Sequence, residues 1–286
     1  MTKNEELKWC PQSSGKGANK TEDYIAGNKE AWEEAFELRD ASWGKDIAKR
    51  VQLEDYPFFN KDTVKVLQKY KMAGKTIGQF CCNNGRELLS LVKSSGAEKG
   101  FGFDIAENQV TFANDKAKEL SLPCEFIAVN VLEIDEQFND MFDFVLLTIG
   151  ALCWFKDLKV FFQVISRCMK RGGTLIINEQ HPFTGMMAAP GEEEFNKDHP
   201  TECRYSYFVK EWVGNEGMQY ITKKSYASKT FTDYSHPLSD TINSLCENSL
   251  IITGMQEFDY DISETFGALD HLGFPLSMIL EAKKAE

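Results

Sequence analysis

Between Lys75 and Asn178 the chain alternates short β-branched or aromatic runs with longer amphipathic stretches. The short runs are Thr76 to Phe80, Gly100 to Phe103, Cys124 to Val129, Phe142 to Thr148 and Thr174 to Asn178. Short apolar runs separated by helical patterns predict a parallel sheet covered on both faces. The intervening stretches carry Val110, Ala113, Ala117 and Leu120 on one face, then Leu158, Phe161, Phe162, Ile165 and Met169 on another, which is the spacing of crossover helices. Gly172-Gly173 is expected to end the last of them.

Upstream, Asn28 precedes Trp32, Ala35, Phe36 and Arg39 at helical spacing, and Val64, Leu67 and Tyr70 repeat the pattern. These predict capping helices outside the sheet, whereas Pro11 to Lys20 is too polar to order itself and reads as a mobile leader. Downstream of Pro182, Arg204 to Val213 and Met218 to Phe231 alternate and are joined by Gly214-Asn215-Glu216-Gly217, which predicts a hairpin. A helix over Pro237 to Cys246 and strands over Leu250 to Asp261 and Pro275 to Glu281 would add an antiparallel carboxyl-terminal pair. The division expected is therefore a leader and helical cap over 1–72 and a catalytic domain over 73–286, with an aromatic insertion at about 184–236.

Composition narrows the function. At 286 residues and 42% hydrophobic, the chain can bury one large α/β core plus an appendage. A net charge of −12 opposes a nucleic-acid partner, and Lys61, Lys65, Lys69, Lys71 and Lys75 read as a solvated helix or a local basic face. Eight cysteines without a C-x-x-C pair point to no metal site and to a reducing cytoplasm. No run approaches the roughly 20 apolar residues of a membrane span, so no membrane partner is expected.

Ligands of open α/β sheets bind outside the carboxyl ends of the strands. At the first such end, Cys81-Cys82-Asn83-Asn84-Gly85-Arg86 leads into an apolar helix, a turn that needs residues tolerant of positive φ. Asp104 ends the second strand, 19 residues beyond Gly85. It can accept both hydroxyls of a ribose, or simply cap a helix. The third strand ends in Val129-Asn130-Val131 and the fourth in Thr148-Ile149-Gly150.

This order of parts resembles the class I S-adenosylmethionine-dependent methyltransferases, small-molecule type, over roughly Lys75 to Lys284. The resemblance implies a Rossmann-like doubly wound α/β sheet of seven strands, mostly parallel with an antiparallel carboxyl-terminal strand, a helical amino-terminal cap and a β-hairpin insertion. It also implies S-adenosyl-L-methionine as cofactor, held by Cys81, Cys82, Asn83, Gly85, Asp104, Ile105, Asn130, Val131, Thr148 and Gly150. Departures stand at Cys81 and Asn83, where that family often has glycine, at Gln79, where an acid is frequent, and at Asn130, which replaces a frequent aspartate. A sulfonium nucleoside has no pyrophosphate, so it does not demand a glycine-rich phosphate cradle, and this weighs against a nicotinamide oxidoreductase.

Methyl transfer mainly requires alignment of two reactants, with a base for a hydroxyl or protonated amine. His181, in Glu179-Gln180-His181 after the fifth strand, is the first candidate base, with Glu179 to orient it; a structural histidine is the alternative. Trp154, Tyr207, Trp212, Tyr234 and His236 are the candidate acceptor contacts, in a segment that reads equally as a lid or as a packing or homodimer surface. The expected function is transfer of a methyl group to an O or N atom of a small molecule. The alternative is a protein that binds the cofactor without turnover.

Overall fold

A computed structural model describes residues 23–190, 192, 194–208, 211–263 and 265–286. The expected leader lies outside the described residues. The elements in chain order are α1 (Tyr24–Glu37), α2 (Ile47–Leu53), α3 (Lys61–Leu67), β1 (Thr76–Phe80), α4 (Arg86–Ser95), β2 (Lys99–Asp104), α5 (Glu107–Leu120), β3 (Cys124–Ala128), β4 (Phe142–Thr148), α6 (Leu158–Cys168), β5 (Met169–Gln180), β6 (Trp212–Gly214), α7 (Gln219–Thr222), β7 (Phe231–Asp233), α8 (Leu238–Glu247), β8 (Leu250–Phe258) and β9 (Ser277–Lys284).

Seven strands form one sheet in the order β3-β2-β1-β4-β5-β9-β8. The first five are mutually parallel and β9 runs antiparallel between β5 and β8. The order reverses between β1 and β4, which puts the switch point, and hence the expected cleft, at the carboxyl ends of those two strands. Sequence dictates this sheet through burial: β1 and β4 hide nearly every side chain on both faces. On one face Leu88, Leu89 and Leu91 of α4 pack with Val110 and Ala113 of α5 and Val66 and Leu67 of α3; on the other, Phe161, Phe162 and Ile165 of α6 pack with Leu245 of α8. Each fully buried Leu or Phe contributes about 1.5–3 kcal/mol.

Three expectations change. Helix α1 begins at Tyr24, capped by Asp23, whose carboxylate accepts from the amides of Ile25 and Ala26, so Asn28 lies inside the helix and not before it. There it is buried, and its side-chain amide pairs with both backbone groups of Thr232 at 2.7 Å each. Gly172-Gly173 does not end a helix: α6 stops at Cys168, and the glycines form an irregular start of β5, where the pairing with β4 shifts register. A Cβ on Gly173 would lie 2.8 Å from the Lys170 carbonyl, so the chain needs glycine to bend there.

The long aromatic hairpin is also absent. Among the described residues only Trp212–Gly214 pairs with Phe231–Asp233, and the helix α7 stands between them. The alternation read as two strands reflects rings that pack on different elements, with Tyr205 against Trp212 and Phe231 against Trp32 and Trp154. Three lysines of the expected basic face are paired with acids, Lys65 with Asp62, Lys69 with Glu281 and Lys75 with Asp143.

Gly85 fixes how α4 leaves β1. Its φ is +77°, and a Cβ there would lie 2.6 Å from the Phe126 ring and 2.8 Å from Ala113 Cβ. Gly85→Ala is expected to cost about 2–4 kcal/mol, since backbone strain and overpacking add. The midpoint of urea unfolding measures it, and a loss under about 1 kcal/mol would mean that the turn relaxes at little cost.

Candidate functional site

The turn after β1 places Cys81, Asn83 and Gly85 alternately at φ +57°, +49° and +77°. Gly85 adopts this freely and asparagine tolerates it, but Cys81 carries a cost of about 1–2 kcal/mol. The turn is held from within, the Cys82 amide donating to the Phe103 carbonyl and the Gly85 amide to the Cys82 carbonyl. Asp104 holds the turn in place: its carboxylate accepts from the amide of Asn83 at 2.7 Å and from that of Ala106 at 3.1 Å. An ionised carboxylate has about four acceptor positions, so these amides leave it capacity for a further donor. Burial raises the Asp104 carboxyl above its ordinary range, opposed by the amides of Ala106, Asn83 and Ile105.

Cys81, Asp104, Cys153 and Asp233 keep partial exposure. Protein nevertheless surrounds them closely enough that burial is the first cause of their raised proton affinity. Partial exposure amid dense surroundings describes the floor and walls of a cleft. Cys81 senses Asp104 and Glu179, and Cys153 senses Asp233, Glu179 and Cys81, so neighbouring members of the group lie within electrostatic reach of one another.

Gly150, at φ +81°, borders open space, with nothing within 4 Å of a Cβ built on it. Its loop is clamped by Glu179, whose carboxylate accepts from the amides of Gly150 at 2.6 Å, Ala151 at 2.9 Å and Leu152 at 3.4 Å, as well as from Gln180. Burial raises this carboxyl and the four amides oppose the rise. With its oxygens committed to amides, Glu179 is not free to orient an imidazole.

His181 is not at the cleft. Its Nδ1 accepts from the Phe183 amide at 3.1 Å, and its Nε2 lies 3.0 Å from Glu257 at the end of β8. Strand β8 is on the far side of β5 from β4 and β1, so the ring turns away from the turn at Cys81. Burial lowers its affinity for a proton and Glu257 raises it. The residue caps the short helix Pro182–Met186, the structural alternative noted for it.

The other expected residues divide. Cys81, Asn83, Gly85, Asp104 and Gly150 converge on the cleft, and Ile105 and Asn130 flank it with partial exposure. Asn130 also caps the turn after β3 by accepting from Leu132. Cys82 and Val131 are buried in the cores beneath, so only their backbone reaches the site. The Thr148 hydroxyl is buried and accepts from Gln79.

Among the acceptor candidates, Trp154 stacks edge-on against Trp32 and Trp212 packs against Tyr205 while donating to Ser235. Tyr207, Tyr234 and His236 are taken up by structure. The Tyr207 hydroxyl accepts from the Leu238 amide at the start of α8, Tyr234 is buried against Tyr24, and His236 bonds the Phe155 carbonyl.

Two residues escaped the sequence reading. Tyr220 of α7 is half exposed and stands near Asn83 and Arg86 of the first turn; burial raises its proton affinity and Arg86 opposes this. Asp233 ends β7 directly opposite Trp212 in the ribbon. The sole signal for it was a lone acid in the aromatic run Phe231-Thr232-Asp233-Tyr234. Among the described residues no cluster of histidine, cysteine and acid side chains could hold a metal ion, and no helix is long and apolar enough to cross a membrane.

Comparison with known proteins gives a consistent result. Residues 79–177 match the methyltransferase domain family. An uncharacterised methyltransferase of Schizosaccharomyces pombe is 27% identical over 123 residues, which are 41% of this chain and 42% of that protein, so the match spans less than half of the relative. Similar solved structures include an S-adenosylmethionine-dependent methyltransferase assigned in Listeria monocytogenes, at TM-score 0.57 and 20% identity over 78% of this chain and 97% of that one. Another is the geranyl diphosphate C-methyltransferase of Streptomyces coelicolor A3(2), solved with Mg2+, geranyl diphosphate and S-adenosyl-L-homocysteine, at TM-score 0.57 and 13% identity over 92% and 98%.

Proposed function

We propose that the chain, with a methyltransferase domain match at residues 79–177 and the fold of S-adenosylmethionine-dependent methyltransferases, is a member of the class I family and that it methylates an O or N atom of a small molecule. The observation that carries this reading is the turn itself: three alternate left-handed residues, one of them a non-glycine under strain, gripped by an aspartate with acceptor capacity to spare. Strain of this kind persists where the surrounding structure imposes it, and it clusters at ligand sites.

The residues present fit the cofactor. The spare acceptor capacity of Asp104 suits the ribose hydroxyls, and Ile105 and Asn130 suit the faces and edge of an adenine. The turn at Cys81 to Gly85 and the amino end of α4 suit the charged amino-acid half, whose carboxylate the helix dipole favours. Gly150 leaves room for the backbone to approach. When bound, S-adenosylmethionine supplies an activated methyl group on a sulfonium. The chain's own part is to align the acceptor and to exclude water, with Tyr220 covering the first turn and the aromatic wall of Trp32, Trp154 and Phe231 lying beside the β4 loop.

The acceptor is read as a small molecule because the chain is strongly acidic, which opposes a nucleic-acid partner. The location read for it is the cytoplasm.

Thermal unfolding with S-adenosyl-L-homocysteine tests the reading: at 100 times its dissociation constant the ligand is expected to add about 2.7 kcal/mol of stability. A shift with NAD and none with the homocysteine nucleoside would overturn it. Binding of the nucleoside with no methyl transfer to any amine or alcohol tried would instead favour a binding protein without turnover.

A further inference from the structure

Resting on that reading, we propose that Asp233 is the group that receives the acceptor's proton, and that the acceptor is an amine that binds as its ammonium between Asp233 and the ring of Trp212.

The placement comes from the ribbon. Paired residues of two antiparallel strands share a face, so Trp212 and Asp233, which are direct partners, stand side by side. Phe231, two residues earlier, shares that face and packs on Trp154 of the β4 loop, which aims the face at the cleft. The Tyr234 amide donates to the Cys153 carbonyl at 2.7 Å, so the ribbon end is fastened to the same loop. Asp233 thus overlooks Cys153, beyond which lie Cys81 and the cofactor turn.

Its surroundings lack what a carboxylate needs. Among the described residues no donor and no cation meets the Asp233 carboxylate, and the charged group it senses is another acid, Glu192. Burial, aided by Glu192, pushes its carboxyl up to about 7. Glu192 accepts from the Tyr205 hydroxyl at 2.8 Å, and Tyr205 meets Trp212 edge-to-face at 4.7 Å between ring centroids. Charges that protein crowds from solvent are ordinarily paired, and Asp233 keeps only partial exposure. Here the missing partner is a cation, and two acids beside an indole ring form a setting that favours ammonium over carboxylate or phosphate. Neither His181 nor Glu179 competes for the role, the one turned to Glu257 and the other bound by four amides.

The step balances. The bound ammonium gives one proton to the Asp233 carboxylate, which frees the nitrogen lone pair. That pair forms the new N–C bond while the C–S bond breaks with its electrons retained by sulfur, which leaves a methylated ammonium and a neutral thioether. Asp233 then returns its proton to water.

The test uses the full chain with S-adenosyl-L-homocysteine bound and three probes of one shape: 2-phenylethylamine, 2-phenylethanol and phenylacetate. Calorimetry is expected to show binding of the amine and not of the other two. Asp233→Asn should weaken amine binding by about 30-fold or more, the loss typical of one member of a buried charge pair. The affinity for S-adenosyl-L-homocysteine should stay within about twofold, which also reports that the variant is folded. Glu192→Gln, with Asp233 intact, should weaken the amine by a smaller factor. With S-adenosylmethionine, only the amine should accelerate formation of the thioether product. Equal binding of the alcohol or the acid, no binding of the amine, or an Asp233→Asn protein that binds the amine as tightly as wild type, each overturns the proposal. Failure of wild type to bind S-adenosyl-L-homocysteine would overturn the cofactor reading beneath it as well.

Discussion

Glu179→Ala is expected to cost about 4 kcal/mol of folding stability, the largest loss of any single change considered. The Glu179 carboxylate is buried and accepts from the amides of Gly150, Ala151, Leu152 and Gln180. Removing it strands several buried donors at once, and each stranded donor costs about 1–3 kcal/mol, less whatever water recovers. Glu179→Gln keeps one acceptor oxygen and should lose about half as much. Urea unfolding of the two variants decides the matter. The carboxylate also fixes Gly150, so a surviving Glu179→Gln protein should bind S-adenosyl-L-homocysteine more weakly. If both variants melt like wild type, the β4 loop is held by something other than Glu179.

Asp104→Ala is expected to weaken S-adenosyl-L-homocysteine by on the order of 100- to 10,000-fold. Two charge-assisted hydrogen bonds at about 1.5–3 kcal/mol each set that range. The substitution also releases the Asn83 amide, now held at 2.7 Å, so the first turn relaxes from its left-handed zigzag. Asp104→Asn retains one acceptor and should fall between. Affinity within about threefold of wild type in Asp104→Ala would remove the residue from the site.

The central sheet was legible because its signal is local. Thr76–Phe80 and Phe142–Thr148 are runs in which all residues but Gln79 and Asp143 are apolar, aromatic, β-branched or glycine, and the structure gives them the bounds read from sequence. Strand β5 starts five residues earlier than read, at Met169, since a glycine pair that ends helices elsewhere here absorbs a shift in register. The insertion misled for the opposite reason: its period of two comes from rings that dock on α1 and the β4 loop, and a strand needs a backbone partner, which no ring spacing reveals. The site divides the same way. Gly85, Asn83 and Asp104 announce themselves by backbone demand and by position at a strand end. His181 sits equally near a strand end, yet its direction is set by Glu257 from a strand 76 residues later, a contact that one sequence does not display. Asp233 and Tyr220 lie in the insertion, and their place over the cleft depends on how the ribbon docks.

That docking depends on Asn28. Its carboxamide completes the open edge of β7 as a further strand would, meeting the N–H and C=O of Thr232 from within α1. The helix before the catalytic domain and the ribbon over the acceptor are therefore one inheritable unit. A chimera that exchanged the ribbon for a relative's and kept the old α1 would leave a buried peptide group unanswered. Changes of substrate in this lineage should travel as matched pairs, one half in the helix and the other some two hundred residues away.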